Sequence, residues 1–218
     1  MELAVVSRDI LSREVNIGRI IEAIEEGFLR NDARVEPRII TDTGRGTVLV
    51  MTAHDNDYSI VKYIGIYPGN SGLGLPTASS IVLLAESSTG VPVAVMDGSL
   101  LTTYRTGATS AVVAKHLLLG GSLIVGFIGS GLQARAHALA LQNALGSRIV
   151  RALTYDVDRA RAEALANALR DGMFAEASVA EDPDRLVRSS DLVVATTTSR
   201  SPVFHGDVLA DGRYRLII

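Results

Sequence analysis

The stretch that most constrains the fold runs from Leu123 to Ala134 and reads LIVGFIGSGLQA. An apolar, β-branched run of one buried strand's length ends on Gly129, and the next residues open a helix that continues to Leu145. Gly129 permits a tight turn, Gly131 lets the backbone approach a pyrophosphate, and Ala134 stands where a third small residue lets helix and strand pack closely. The helix N-terminus at Gln133 would stabilise that pyrophosphate through its free N–H groups and the helix dipole. A second strand, Ile149 to Tyr155, ends in Asp156. Its carboxylate would accept from both hydroxyls of a ribose and repel a 2′-phosphate, which favours NAD over NADP; Arg159 nearby works against that preference. Glycine pairs are common, so the loop alone is weak. Strand before it, helix after it, a βαβ setting and a well-placed acid together point to dinucleotide binding rather than to a plain turn with a surface aspartate.

The rest of the chain extends this unit. Arg159 to Leu169 reads as a helix, Phe174 to Ser178 as a short strand and Leu192 to Thr196 as a firm one. This alternation predicts an α/β fold: a Rossmann-type, doubly wound parallel sheet over 120–218. Residues 1–119 have a different texture. Ile17, Ile20, Ile21, Ile24 and Phe28 form one stripe of a helix, followed by β-like runs at Thr47 to Ala53, Ser59 to Tyr67, Ser79 to Ala85 and Val91 to Met96. These predict an N-terminal α+β domain over 1–119. A helix from Leu101 to Leu119, rich in small residues and stopped by Gly120-Gly121, leads into the second domain. The chain ends on the apolar run RYRLII with no covering helix, so the Rossmann sheet is expected to be truncated and the sequence to be part of a longer protein.

Composition narrows the function classes. A net charge of -3 over 218 residues recommends neither nucleic acid nor an anionic membrane as partner. No apolar run approaches the roughly 20 residues needed to span a bilayer. The absence of cysteine excludes disulfides and thiolate chemistry and fits a cytoplasmic location. The histidines His54, His116, His137 and His205 never stand at ligand spacing, so no metal site is expected.

Two cations stand out. Lys62 interrupts the row Ile60, Ile64, Ile66 on one strand face. It either lines the mouth of a pocket, where a carboxylate would balance it, or snorkels from an edge strand; periodicity alone leaves this even. Arg105, read as lying in the first turn of its helix, gains nothing from the dipole there, and its planar fork suits a carboxylate. Both are candidate catalytic as well as substrate-binding residues, Lys62 because desolvation would make it a proton shuttle.

The segments DGSLLTTYRTGATSAVVAKHL (Asp97 to Leu117) and VGFIGSGLQARAHALAL (Val125 to Leu141), with VKYIGIYPGN, GLPTAS and YDVDRARAEAL, resemble the ornithine cyclodeaminase/mu-crystallin family over about residues 35–203. The resemblance implies that Arg38, Lys62 and Arg105 hold a substrate carboxylate and that Thr77 touches substrate or nicotinamide. It implies cofactor contacts at Thr77, Arg105, Gly129, Ser130, Gly131, Leu132, Gln133, Asp156, Thr196 and Thr197. It also implies that the N-terminal α+β domain, 1–119, serves substrate binding and dimerisation, and that a homodimer acts on an amino acid or cyclic imine, with ornithine conversion to proline preferred, and alanine-type dehydrogenase, ketimine reductase or non-catalytic dinucleotide binding as alternatives. The family's catalytic aspartate follows the strand where this chain ends and has no counterpart here.

Overall fold

A computed structural model describes residues 2–210 and 216–218. The chain opens with β1 (Ala4–Val6), α1 (Arg8–Glu14) and α2 (Ile17–Leu29). It continues through β2 (Arg34–Val35), β3 (Ile39–Asp42), β4 (Thr47–His54), β5 (Tyr58–Ile66), β6 (Ala78–Glu86) and β7 (Pro92–Asp97) to α3 (Gly98–Leu117). Two compact units result. The first comprises Met1–Asn16 and Glu26–Thr102, and the second Ile17–Glu25 and Thr103–Ile218. The expected division at 119/120 therefore differs from the one found, which falls inside α3 and assigns most of α2 to the second unit.

The first unit is built on a mixed sheet in the order β1-β7-β6-β5-β4-β2, with β3 also on β4. β4 to β7 form an antiparallel meander, and β1 joins β7 in parallel. Register partners Met51, Lys62 and Val82 place Lys62 in a central strand, which removes the edge-strand reading. The ESSTG turn closes as expected, Gly90 N–H donating to Glu86 O. The glycine-rich loop after β5 is a short 3-10 turn over Pro68–Leu73.

The second unit carries β8 (Leu123–Ile128), α4 (Leu132–Leu145), β9 (Ile149–Tyr155), α5 (Arg159–Gly172), β10 (Ala177–Val179), α6 (Pro183–Ser189), β11 (Leu192–Ala195) and β12 (Leu216–Ile217). Its strands are all parallel in the order β10-β9-β8-β11-β12, the doubly wound order 3-2-1-4-5. One face packs Val125, Phe127, Leu192 and Val194 against α4, α5 and the small-residue side of α3; the other packs Ile128 and Val193 against Leu186 and Val187 of α6. The small residues of α3 have a direct use. A Cβ at Gly107 would lie 2.6 Å from Ala136 O, so the backbones of α3 and α4 meet there. Ile17, Ile20, Ile21 and Ile24 of α2 pack on the same core, whereas Phe28 is 66% exposed and leaves the expected stripe.

Several elements differ from the sequence reading. α3 begins three residues earlier than expected because Asp97 Oδ1 accepts from Leu100 N–H, capping the helix; Arg105 is consequently well inside α3 and not in its first turn. The short strand expected over Phe174 to Ser178 lies at β10 instead, and Phe174 is a buried core residue. The terminal apolar run pairs with β11 through Leu216 and Ile217; its residues 213–215 lie outside the described residues.

Candidate functional site

In the parallel sheet the strand order reverses between β8 and β11, and the carboxyl ends of these two strands bound the crevice where doubly wound folds take ligands. Gly129 turns the chain there with φ +90, a left-handed conformation open to glycine. Its N–H donates to Tyr155 O at 2.8 Å, and Thr196 N–H donates to Ile128 O at 2.9 Å. A Cβ on Gly129 would lie 2.7 Å from Thr196 O and 3.1 Å from Thr197 Cγ2. The glycine loop and the threonine turn are thus locked together.

The acid sits beside them. Ser130 N–H donates to Asp156 Oδ2 at 2.8 Å and Asp158 N–H donates to Oδ1 at 3.0 Å, which fixes the carboxylate against the loop. Asp158 caps α5, and Arg159 is engaged with Glu163 along that helix at 2.9 Å. Gly131 is the N-cap of α4 with no side-chain cap bond and nothing within 4 Å of the place a Cβ would occupy. Leu132 is 56% exposed at the head of that helix. Ser130 Oγ, Gln133 Oε1 and Thr196 Oγ1 are buried and have no hydrogen-bond partner among the described residues. Unmet polar atoms, an uncapped helix end and a held carboxylate fit a diphosphate with its ribose diol: the helix end answers the anion and the carboxylate the diol.

In the first unit Lys62 is half-buried on the inner face of β5, and its Nζ donates to Thr102 Oγ1 at 2.5 Å. Arg38 and Thr77 are exposed; no hydrogen bond or ion pair among the described residues holds Arg38, and Thr77 O accepts from Tyr67 N–H. In the second unit the Arg105 guanidinium likewise has no hydrogen bond or ion pair among the described residues. Its partial desolvation lowers its pKa although the residue remains accessible. A cation left in that state favours an anionic ligand. Of the histidines, His137 is buried packing in α4, while His116 and His205 are exposed and paired with Glu25 and Asp184. Among the described residues no group of His, Asp or Glu could hold a metal ion, and no helix is long and apolar enough to cross a membrane.

The profile of the ornithine cyclodeaminase/mu-crystallin family matches residues 1–217. The chain belongs to that family. It is 31% identical to alanine dehydrogenase of Archaeoglobus fulgidus, over 98% of this chain and 66% of the relative. Ornithine cyclodeaminase of Brucella abortus is 30% identical over 82% of this chain and 49% of the relative. Among solved structures, an archaeal alanine dehydrogenase dimer with bound NAD superposes with a TM-score of 0.88 at 31% identity, covering 95% of this chain and 64% of that one. The Δ1-pyrroline-2-carboxylate reductase of Thermococcus litoralis, in complex with NADH and L-proline, gives 0.86 at 32% identity, covering 94% and 65%. The chain therefore spans 66% or less of the length of these ornithine cyclodeaminase/mu-crystallin relatives.

Proposed function

We propose that this chain forms the substrate-binding and dinucleotide-binding parts of a cytoplasmic, NAD-dependent enzyme of amino-acid metabolism that works as a homodimer. The observation that carries the reading is the cradle at the β8–β11 crevice, where Gly129, Ser130, Gly131, Leu132, Gln133, Asp156, Thr196 and Thr197 stand around an uncapped helix end and unmet polar atoms. The held Asp156 carboxylate supports NAD over NADP. When bound, the dinucleotide supplies the acceptor and donor of a hydride at the substrate's α-carbon. The chain's own part is to grip the carboxylate end of a small amino acid or cyclic imine with Arg38, Lys62 and Arg105, with Thr77 and Arg105 also serving the cofactor side. Lys62 and Arg105 are the candidate catalytic groups.

Two net reactions share that hydride step. The segment YDVD around Asp156 favours cyclodeamination of ornithine to proline and ammonia, which is redox-neutral. The broader match to alanine dehydrogenase favours net oxidation or reduction. One assay of the full-length protein separates them. A catalytic trace of NAD sustains cyclodeamination, whereas a dehydrogenase or reductase changes nicotinamide absorbance in proportion to product. NADH binding with no turnover of ornithine, alanine or cyclic imines would remove the enzyme reading and leave a dinucleotide-binding protein.

A further inference from the structure

The face of β5 that carries Ile60 and Ile64 is apolar except at Lys62, and among the groups that engage that ammonium is the hydroxyl of Thr102, from the first part of α3. Lys62 Nζ can only donate when charged, so Thr102 Oγ1 is the acceptor in that contact at 2.5 Å. The same hydroxyl donates its single hydrogen to Gly98 O at 2.6 Å, one turn back on the helix. Its hydrogen is thereby committed to the backbone and its lone pair faces the lysine. The helix end that carries it is itself fixed. Asp97 caps it at Leu100 N–H, and Ser80 N–H of β6 donates to Ser99 Oγ at 2.9 Å. A Cβ at Gly98 would lie 2.9 Å from the backbone carbon Ser80 C, so helix and sheet touch at backbone distance there.

We propose that Thr102 is a positioning residue: its backbone-anchored hydroxyl fixes the direction in which Lys62 presents its ammonium to the carboxylate of an amino-acid or imino-acid substrate. The proposal deepens the functional reading of Lys62 given above and rests on it for the identity of the ligand. A lysine has four rotatable side-chain bonds, and one fixed acceptor near its tip removes much of that freedom before the ligand arrives. No other residue type at 102 offers both the backbone anchor and the acceptor except serine.

The test uses the full-length protein with Thr102→Val, Thr102→Ala, Thr102→Ser and Lys62→Met, and reads NADH affinity, KM and kcat for the substrate, and the rate at which acetic anhydride acylates Lys62 Nζ. In the valine and alanine variants we expect Lys62 acylation to change at least about threefold and KM to rise about tenfold, the equivalent of one hydrogen bond to a charged group. NADH affinity should hold, and serine should restore both quantities. Equal acylation rates in the wild-type, valine and alanine proteins would overturn the proposal, as would failure of serine to rescue. A normal KM in Lys62→Met would instead remove the substrate reading of Lys62, while the acylation data still decide whether Thr102 positions it. Retained NADH binding in either the valine or the alanine variant shows that the fold survives the change.

Discussion

Gly129 satisfies two demands at one position, a left-handed φ and a backbone approach to Thr196 that leaves no room for a methyl group. Gly129→Ala should therefore cost about 1–2 kcal/mol of strain and displace the threonine turn, with NADH affinity falling by roughly tenfold or more in a titration. In the proposed function Asp156 would act through charge rather than shape. Its carboxylate is pinned by the N–H groups of Ser130 and Asp158, so on that reading it would not swing away from a 2′-phosphate. Asp156→Arg should shift the NADPH-to-NADH affinity ratio at least about tenfold towards NADPH, and an unchanged ratio would show that the acid does not face the ribose. Arg105 has the opposite character, a partly desolvated cation with no partner among the described residues. Arg105→Ala should raise KM for the amino-acid or imine substrate by a larger factor than it weakens NADH binding; unaltered kinetics would clear it of carboxylate binding.

Helices and strands reveal which parts of this fold are written locally. β8, β9 and α4 lie where period and flanking glycines place them, because each is a long apolar pattern bounded by its own stop signals. β1, β2 and β3 are two to four residues long and exist because distant strands pair with them, which no local pattern records. The Asp97 cap of α3 and the Asp182-Pro183 start of α6 are local N-terminal signals that the sequence carries. The site divides in the same way. Gly129 and Asp156 sit in one βαβ unit and are legible, whereas the Lys62–Thr102 contact joins residues 40 apart in sequence. Arg148 was silent in the sequence for the same reason. Its guanidinium donates to Leu118 O, Gly120 O and Gly121 O and closes the end of α3. Arg148→Met should lower unfolding stability by about 1–3 kcal/mol, measured as a shift of the urea midpoint with unchanged slope.

Across the whole molecule the titratable groups with shifted pKa values act in separate pH windows, which makes one buried residue measurable on its own. His137 is 3% exposed, and its Nδ1–H donates to Gln133 O at 2.7 Å. Desolvation outweighs that hydrogen bond and holds its pKa below the ordinary 6.5. The unfolded chain consequently binds a proton at His137 that the folded chain refuses, so stability rises with pH between the depressed folded value and 6.5 and is lost as pH falls through that interval. Glu25, Asp32, Asp55 and Asp184 have pKa values lowered by their hydrogen-bond partners, and their contributions fade only at lower pH, as each carboxylate is protonated. The exposed His205, raised by Asp184, works in the other direction: its contribution is present below 6.5 and declines above it. Urea unfolding between pH 5 and 6.5 should therefore show stability climbing with pH in the wild-type protein. His137→Gln, which keeps a donor but cannot titrate, should flatten that climb and leave the carboxylate-driven loss at more acidic pH in place. A slope unchanged by the substitution would mean that the interior accommodates a charged imidazole at this position.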